Sequence, residues 1–149
     1  MEKRNMEKRN KILIVENNDT LRELLKITLK SRGYVVETAC NGLTGLQKLE
    51  KEPYDLLITD NQMPNMNGLD LIEEICRREI NIRILMISGR FTRDIVERAK
   101  ERGVLECLEK PFSFRRIIGT VGKALKIDTI SKWNHELDQF PKLLEAGAR

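Results

Sequence analysis

The sequence has little cysteine, no long apolar run and no strong excess of one charge. Its three cysteines, Cys40, Cys76 and Cys107, are odd in number and lack CxxC spacing. Reduced thiols in a cytoplasmic protein explain this pattern better than disulfides or a zinc site. No apolar run is long enough to span a bilayer, and the charged N-terminus lacks the apolar region of a signal peptide. We therefore expect a cytoplasmic protein that does not contact the membrane.

The charges are mixed rather than of one sign. The 27 basic and 23 acidic residues leave a net charge of +4, and five of the basic residues lie in the first eleven positions. The excess therefore lies partly in an N-terminal tail, and nucleic-acid binding is not expected. The length of 149 residues and the apolar fraction of 40% suit one compact domain. A further DNA-binding module of about 60 residues would not fit beside it.

Strand-like and helix-like segments alternate after residues 1–10, which repeat MEKRN and are expected to form a disordered tail. Apolar or β-branched runs predict five strands at residues 12–15, 34–38, 56–60, 82–87 and 105–108. Mostly apolar residues at helical spacing predict five helices: Leu21, Leu24, Leu25, Thr28 and Leu29; Leu43, Leu46 and Leu49; Leu69, Ile72, Ile75 and Cys76; Ile95, Val96 and Ala99; and Phe114, Ile117, Ile118, Val121 and Leu125. This order predicts an α/β fold with a doubly wound five-stranded parallel sheet.

Polar side chains stand at the ends of four predicted strands. Glu16 and Asn17 follow the first strand, Asp60 ends the third, Ser88 follows the fourth and Lys110 follows the fifth. Ligands bind outside the carboxyl ends of the strands in such sheets, so we expect these side chains at one rim. A nucleophilic carboxylate, metal-binding oxygens, a hydroxyl and an ammonium together suit phosphoryl transfer, in which positioning and charge neutralisation provide most of the catalysis.

Each residue has a chemical role in this interpretation. Asp60 is the nucleophile that forms an acyl phosphate, Lys110 pairs with a phosphoryl oxygen and Ser88 donates a hydrogen bond to another. Mg²⁺, held by few protein oxygens and several waters, bridges the carboxylates and the phosphoryl group. Each residue alone also has a structural explanation, because an Asp or Ser at a strand end often bonds backbone and residues 16–19 could simply begin a helix. Their joint occurrence in this order favours the functional interpretation.

Four sequence motifs resemble those of response-regulator receiver domains. They are ILIVENND, LLITDNQMPNMNGLDLI, ILMISGR and CLEKPF, and the resemblance covers residues 11–127. It implies a flavodoxin-like fold with strand order 2-1-3-4-5, a phosphoacceptor at Asp60, a switch hydroxyl at Ser88 and the family lysine at Lys110. It also implies Mg²⁺ ligands at Glu16, Asn17, Asp60 and the backbone carbonyl of Gln62. The implied reaction is Mg²⁺-dependent phosphoryl transfer from a histidine kinase or histidine phosphotransfer protein, followed by slow hydrolysis, with no other enzymatic activity.

Two positions depart from the family pattern. The second residue of the metal-binding acidic pair is Asn17, whose neutral amide is expected to weaken Mg²⁺ binding and to slow phosphorylation without abolishing either. Asp19 is expected at the start of the first helix and so does not replace that ligand. Cys107 occupies the position at which these domains usually carry the Tyr or Phe that couples to the switch hydroxyl. We expect its thiol to pack as a buried apolar group, so the conformational change would pass through Ser88, the following loop and the fourth helix.

Residues 128–149 lie beyond the receiver pattern and are expected to be a partly helical C-terminal extension. Ile130, Trp133, Leu137 and Phe140 form one apolar stripe in this segment. The stripe either packs on the domain or contacts a partner or a second copy in a homodimer, since Trp and Phe are favoured at interfaces.

Several functions remain open from the sequence. The leading one is a signalling switch that acts through contact with a downstream effector protein. A phosphorylation-independent pseudo-receiver is favoured by Asn17 and Cys107, and the chain could also be the receiver of a longer transcriptional regulator. A phosphatase of the haloacid-dehalogenase type is disfavoured, because it needs a second acid two residues after the nucleophile, where this chain has Gln62.

Overall fold

The computed structural model describes residues 9–126, so the expectations for residues 1–8 and 127–149 lie outside the described residues. Five strands and five helices alternate: β1 Lys11–Val15, α1 Asp19–Lys30, β2 Val35–Ala39, α2 Gly42–Lys51, β3 Leu56–Asp60, α3 Gly68–Arg77, β4 Arg83–Ser88, α4 Arg93–Glu101, β5 Val104–Glu109 and α5 Phe114–Leu125. The strands are parallel and form one sheet in the order β2-β1-β3-β4-β5. The doubly wound α/β fold and the strand order are therefore confirmed. No helix among residues 9–126 combines the length and apolar composition that a bilayer crossing requires.

Both faces of the sheet are buried under helices. In β1, Leu13 and Val15 belong to one apolar cluster, Ile12 and Ile14 belong to the cluster on the opposite face, and all four are fully buried. The first cluster includes residues of α2, α3 and α4, and the second includes residues of α1 and α5. Successive strand residues alternate between the two faces, so a strand covered on both sides has to be apolar throughout.

Three side chains from the helical patterns of the sequence are exposed. Leu24 in α1 is 43% exposed and Leu43 in α2 is 57% exposed, and Cys76 in α3 is also exposed. In two of these helices the neighbouring residue, Leu25 or Ile75, is buried instead. When apolar residues occupy adjacent positions, the helical period does not show which of them faces the sheet. The helical spacing therefore locates these helices but does not fix which of their apolar side chains are buried.

Each described helix begins with a side chain that caps backbone N–H groups. The capping residues of α1 to α5 are Asn18, Asn41, Asn67, Thr92 and Ser113, in that order. Each helix follows a parallel strand and runs back along the sheet, so the capped N-termini lie near the carboxyl ends of the strands. Helix N-termini carry partial positive charge, and negatively charged groups close to them are therefore stabilised.

The edge strand β5 contains a buried charged side chain, Glu106. Arg116 of α5 donates a hydrogen bond to Glu106 Oε2 at 3.0 Å. Burial raises the pKa of the Glu106 carboxyl, whereas the charge of Arg116 lowers it. The ion pair allows a charged residue in this strand, which is therefore more polar than its neighbours. The strand predicted from the sequence, residues 105–108, is shorter than the observed strand, Val104–Glu109.

Candidate functional site

The structure brings Glu16, Asp60, Ser88 and Lys110 to one rim of the sheet. Asp60 and Ser88 are the last residues of β3 and β4, whereas Glu16 and Lys110 directly follow β1 and β5. These four strands are neighbours in the sheet, and Asp60 lies opposite Ile87 of β4. The Lys110 backbone N–H donates to the Ser88 carbonyl at 2.7 Å, which holds the start of the β5–α5 loop against the end of β4.

Lys110 joins the two buried carboxylates of this rim. Its Nζ lies 3.0 Å from Glu16 Oε1 and 3.4 Å from Asp60 Oδ2. Glu16 is fully buried and Asp60 is 2% exposed. Removing carboxylates from water is unfavourable unless a cation is close, so the ammonium group stabilises the arrangement. One ammonium balances only one of two negative charges, and the rim therefore has the capacity to bind a second cation.

The surroundings of Glu16 show the same shortage of positive charge. Burial raises the pKa of the Glu16 carboxyl, and this outweighs the Asn18 backbone N–H and the Lys110 ammonium, which lower it. The Asn18 N–H donates to Glu16 Oε2 at 2.9 Å. The nearby Asp60 carboxylate also raises the pKa of Glu16. A bound cation at this rim would lower the pKa of the Glu16 carboxyl.

Several residues that follow Glu16 make hydrogen bonds at the start of α1. Asn18 caps the helix through its Oδ1. Arg22 donates to the Asp19 side chain at 2.6 Å and to the Glu16 carbonyl at 2.9 Å. Asp19 is thus engaged at the start of α1, as the sequence predicts. Asn17 is exposed and directly follows the buried Glu16 in the chain.

The donor set fits a Mg²⁺ ion that keeps several waters. Within residues 9–126, no three His, Cys, Asp or Glu side chains are grouped as a metal site. Mg²⁺ is commonly bound through one or two carboxylates, and water and substrate oxygens complete its coordination. The carboxylates of Glu16 and Asp60 meet that requirement. The residue that follows Glu16 is the neutral Asn17, where an acidic pair would provide a second carboxylate.

The loop after β4 is held by its own hydrogen bonds and by one from the loop after β3. The Ser88 hydroxyl donates to the Arg90 carbonyl at 3.0 Å and accepts from the Arg90 N–H at 3.3 Å. The Gly89 N–H donates to Gln62 Oε1 at 3.1 Å, and the Gln62 N–H donates to Asp60 Oδ1 at 3.1 Å. The sequence indicated a role for the carbonyl of Gln62 but not the contact between its side chain and Gly89.

Asn61 and Gly68, which the sequence pattern does not mark as functional, hold the loop that follows Asp60. The Asn61 N–H donates to the Ile87 carbonyl at 2.9 Å, and the Gly68 N–H donates to the Asn61 carbonyl at 3.1 Å. The Leu69 N–H donates to Asn61 Oδ1 at 3.1 Å. A Cβ at Gly68 would lie 2.7 Å from the Asp60 carbonyl oxygen. Glycine therefore allows α3 to begin in close contact with the end of β3.

Gly68→Ala is expected to lower the free energy of unfolding by about 1–3 kcal/mol, because the added methyl group would overlap with backbone atoms that cannot move aside like a flexible side chain. Urea unfolding at pH 7 measures this change. Gly119→Ala in α5 is the matched control, since a Cβ there would meet nothing within 4 Å. A Gly68→Ala variant as stable as Gly119→Ala would contradict the close approach.

Cys107 is a buried core residue. It lies in β5 opposite Met86 and is 6% exposed. Burial raises the pKa of its thiol to about 12. A thiol with this pKa is protonated at neutral pH and is a poor nucleophile. The position therefore supports the predicted packing role rather than redox chemistry.

Comparisons with known proteins identify the family to which this fold belongs. A family profile for the response regulator receiver domain matches residues 12–122. The chain is 38% identical over 118 residues to the transcriptional regulatory protein CpxR homolog of Haemophilus influenzae, and the match covers 78% of this chain and 50% of that protein. It is 32% identical over 117 residues to sporulation initiation phosphotransferase F of Bacillus subtilis, with 78% of this chain and 94% of that protein covered.

A solved structure of a chemotaxis protein has a similar fold. Chemotaxis protein CheY4 of Vibrio cholerae superposes with a TM-score of 0.74 at 28% identity, covering 78% of this chain and 99% of that chain. The chain thus spans half the length of the CpxR homolog and nearly all of the other two proteins. The profile match includes all five strands except the first residue of β1, and it contains every residue of the rim. The chain belongs to the response regulator receiver domain family of two-component signalling proteins.

Proposed function

We propose that Asp60 accepts a phosphoryl group from the phosphohistidine of a histidine kinase or a histidine phosphotransfer protein. A carboxylate oxygen of Asp60 forms a bond to phosphorus while the bond from phosphorus to the histidine nitrogen breaks, and the imidazole keeps that electron pair. The observation that carries the proposal is the short distance from Lys110 Nζ to Asp60 Oδ2, 3.4 Å, beside the buried Glu16. A nucleophile, its counter-charge and a second acid are thereby held together.

The other rim residues bind and orient the phosphoryl group. Lys110 pairs with one phosphoryl oxygen, and Ser88 donates its hydroxyl proton to another. Glu16, Asp60 and the backbone carbonyl of Gln62 would hold Mg²⁺, with Asn17 as a neutral ligand. When bound, the metal neutralises charge on the carboxylates and on the phosphoryl oxygens. The chemistry is limited to phosphorylation and dephosphorylation of the domain itself, so the protein is a switch rather than an enzyme with a separate substrate.

The proposed output is contact with a downstream effector protein. The apolar stripe of residues 130–140, outside the described part of the chain, is the proposed contact for the effector or for a second copy in a homodimer. Because the CpxR homolog is a transcriptional regulatory protein, a second form of this proposal is that the domain belongs to a longer transcriptional regulator.

The proposed location is the cytoplasm. The exposed thiols of Cys40 and Cys76 are not in disulfides, which suits that reducing compartment.

Intact-mass spectrometry after incubation with acetyl phosphate and Mg²⁺ tests the proposal. We expect the protein to gain the mass of one phosphoryl group, and to gain none when EDTA removes the metal. Asp60→Asn is the control, because it keeps the size of the side chain and removes the nucleophilic carboxylate. Equal mass gains in the parent and in Asp60→Asn would contradict the assignment of Asp60.

A phosphorylation-independent pseudo-receiver is the second candidate. It is favoured by the neutral side chain of Asn17 at the metal rim and by the buried thiol of Cys107, which replaces the aromatic residue usual in the family. Absence of both a mass gain and beryllofluoride binding at high Mg²⁺ concentration would support this candidate over the switch.

A further inference from the structure

Gln62 links the phosphoacceptor to the loop that carries the switch hydroxyl. Its backbone N–H donates to Asp60 Oδ1 and its side-chain Oε1 accepts from the Gly89 N–H, each at 3.1 Å. Gln62 is exposed, so its side chain adds little to the apolar core. The residue therefore contacts both the carboxylate that would carry the phosphoryl group and the peptide that follows Ser88.

The Ser88 hydroxyl donates its hydrogen bond within its own loop in this arrangement. A hydroxyl group has one proton, and Ser88 donates it to the Arg90 carbonyl at 3.0 Å. Ser88 can donate to a phosphoryl oxygen on Asp60 only after it leaves the Arg90 carbonyl. Phosphorylation therefore requires the hydrogen bonds of the loop from Ser88 to Arg90 to rearrange.

Gly89 lies at the centre of this loop. Its N–H is a donor of the kind that stabilises phosphoryl oxygens, and the Gln62 amide oxygen occupies it. A Cβ at residue 89 would lie only 3.0 Å from Gln62 Oε1, which shows how closely the Gln62 side chain approaches the loop. The Gly89 N–H can therefore donate to a phosphoryl oxygen only after it leaves Gln62 Oε1.

We propose that the Gln62 side chain is a positioning residue that holds the β4–α4 loop in its unphosphorylated arrangement and thereby opposes phosphoryl binding. The inference rests on the proposed function, because it assigns the regulation of the same site. In the parent, the phosphorylated arrangement loses the hydrogen bond from the Gly89 N–H to Gln62 Oε1. A variant whose side chain at residue 62 has no acceptor does not have this hydrogen bond to lose. A hydrogen bond of ordinary net strength corresponds to a factor of about five in an equilibrium constant.

Beryllofluoride, which binds as a non-covalent analogue of the phosphoryl group, tests the inference in an NMR titration of the full chain at saturating Mg²⁺. Gln62→Met keeps the length of the side chain and the backbone N–H but removes the acceptor. We expect this variant to bind beryllofluoride about fivefold more tightly than the parent. We also expect faster hydrogen exchange at the Gly89 amide. The affinity for Mg²⁺ is measured in a separate titration of each variant, because the backbone carbonyl of residue 62 is a proposed ligand of the metal.

Gln47→Met is the matched control, since residue 47 is an exposed glutamine in the middle of α2. This variant should match the parent in every measurement. A Gln62→Met variant that binds beryllofluoride no better than the parent would overturn the inference and leave the proposed function intact. Equal changes in Mg²⁺ and beryllofluoride affinity would show that the substitution acts through the metal site, and this result would also overturn the inference. A parent that binds no beryllofluoride would overturn both proposals.

Discussion

Lys110→Met is expected to slow phosphorylation by acetyl phosphate by about two orders of magnitude, the effect of removing one charged donor from a site where charge develops. Lys110 Nζ lies 3.0 Å from Glu16 Oε1 and 3.4 Å from Asp60 Oδ2. Methionine keeps much of the apolar length of lysine but removes the ammonium that balances these carboxylates. It also removes the point charge that would meet the incoming phosphoryl oxygens. The time course of phosphorylation, followed by intact mass, measures the change.

Lys51→Met is the control for the Lys110 variant, because Lys51 is exposed at the end of α2. The control should keep the rate of the parent. Thermal unfolding of both variants separates slow chemistry from loss of folded protein, which matters because Lys110 also stabilises two buried carboxylates. A folded Lys110→Met variant that reacts as fast as Lys51→Met would show that the ammonium is not needed.

Asn17→Asp is expected to raise the affinity for Mg²⁺ by about tenfold, because an anionic oxygen replaces a neutral one beside two other carboxylates. Asn17 is exposed next to the buried Glu16, so the new carboxylate would remain open to water until the metal binds. Phosphorylation at low Mg²⁺ concentration should become faster in the same variant. NMR or calorimetric titration with Mg²⁺ measures the affinity directly.

Asn18→Asp provides the matched control for Asn17→Asp. It introduces the same charge one residue away, but the Asn18 side-chain oxygen caps α1 by accepting from the Leu21 N–H at 2.8 Å. Aspartate is an equally good N-cap residue, so the helix should be retained. We expect Asn18→Asp to raise Mg²⁺ affinity much less than Asn17→Asp. Identical affinities in the parent and Asn17→Asp would contradict a weakened metal site.

The sheet and its rim could be predicted because they depend on short segments of sequence. Residues 56–58 are continuously apolar, as a strand covered on both faces requires. The polar Asp60 ends this strand. Parallel strands bring their carboxyl ends to one edge, so the sequence predicts that Asp60, Ser88 and Lys110 lie near one another. The pattern of alternating strands and helices was sufficient for this part of the site.

Contacts between loops could not be predicted in this way. The hydrogen bond between Gln62 and Gly89 joins residues that are distant in sequence, and it depends on where two irregular loops meet. The capping of the Leu69 N–H by Asn61 depends likewise on the close approach at Gly68. Polar side chains in loops have many possible partners, and the geometry of the folded chain selects among them.

Chemical identification of the phosphorylated residue tests the central claim most directly. Borohydride reduces an acyl phosphate on aspartate to the alcohol, which leaves homoserine at the modified position. After treatment with acetyl phosphate, Mg²⁺ and borohydride, peptide mass spectrometry should find homoserine at residue 60. Homoserine at another aspartate, or no reduced residue in a protein that has gained a phosphoryl group, would contradict the assignment of Asp60.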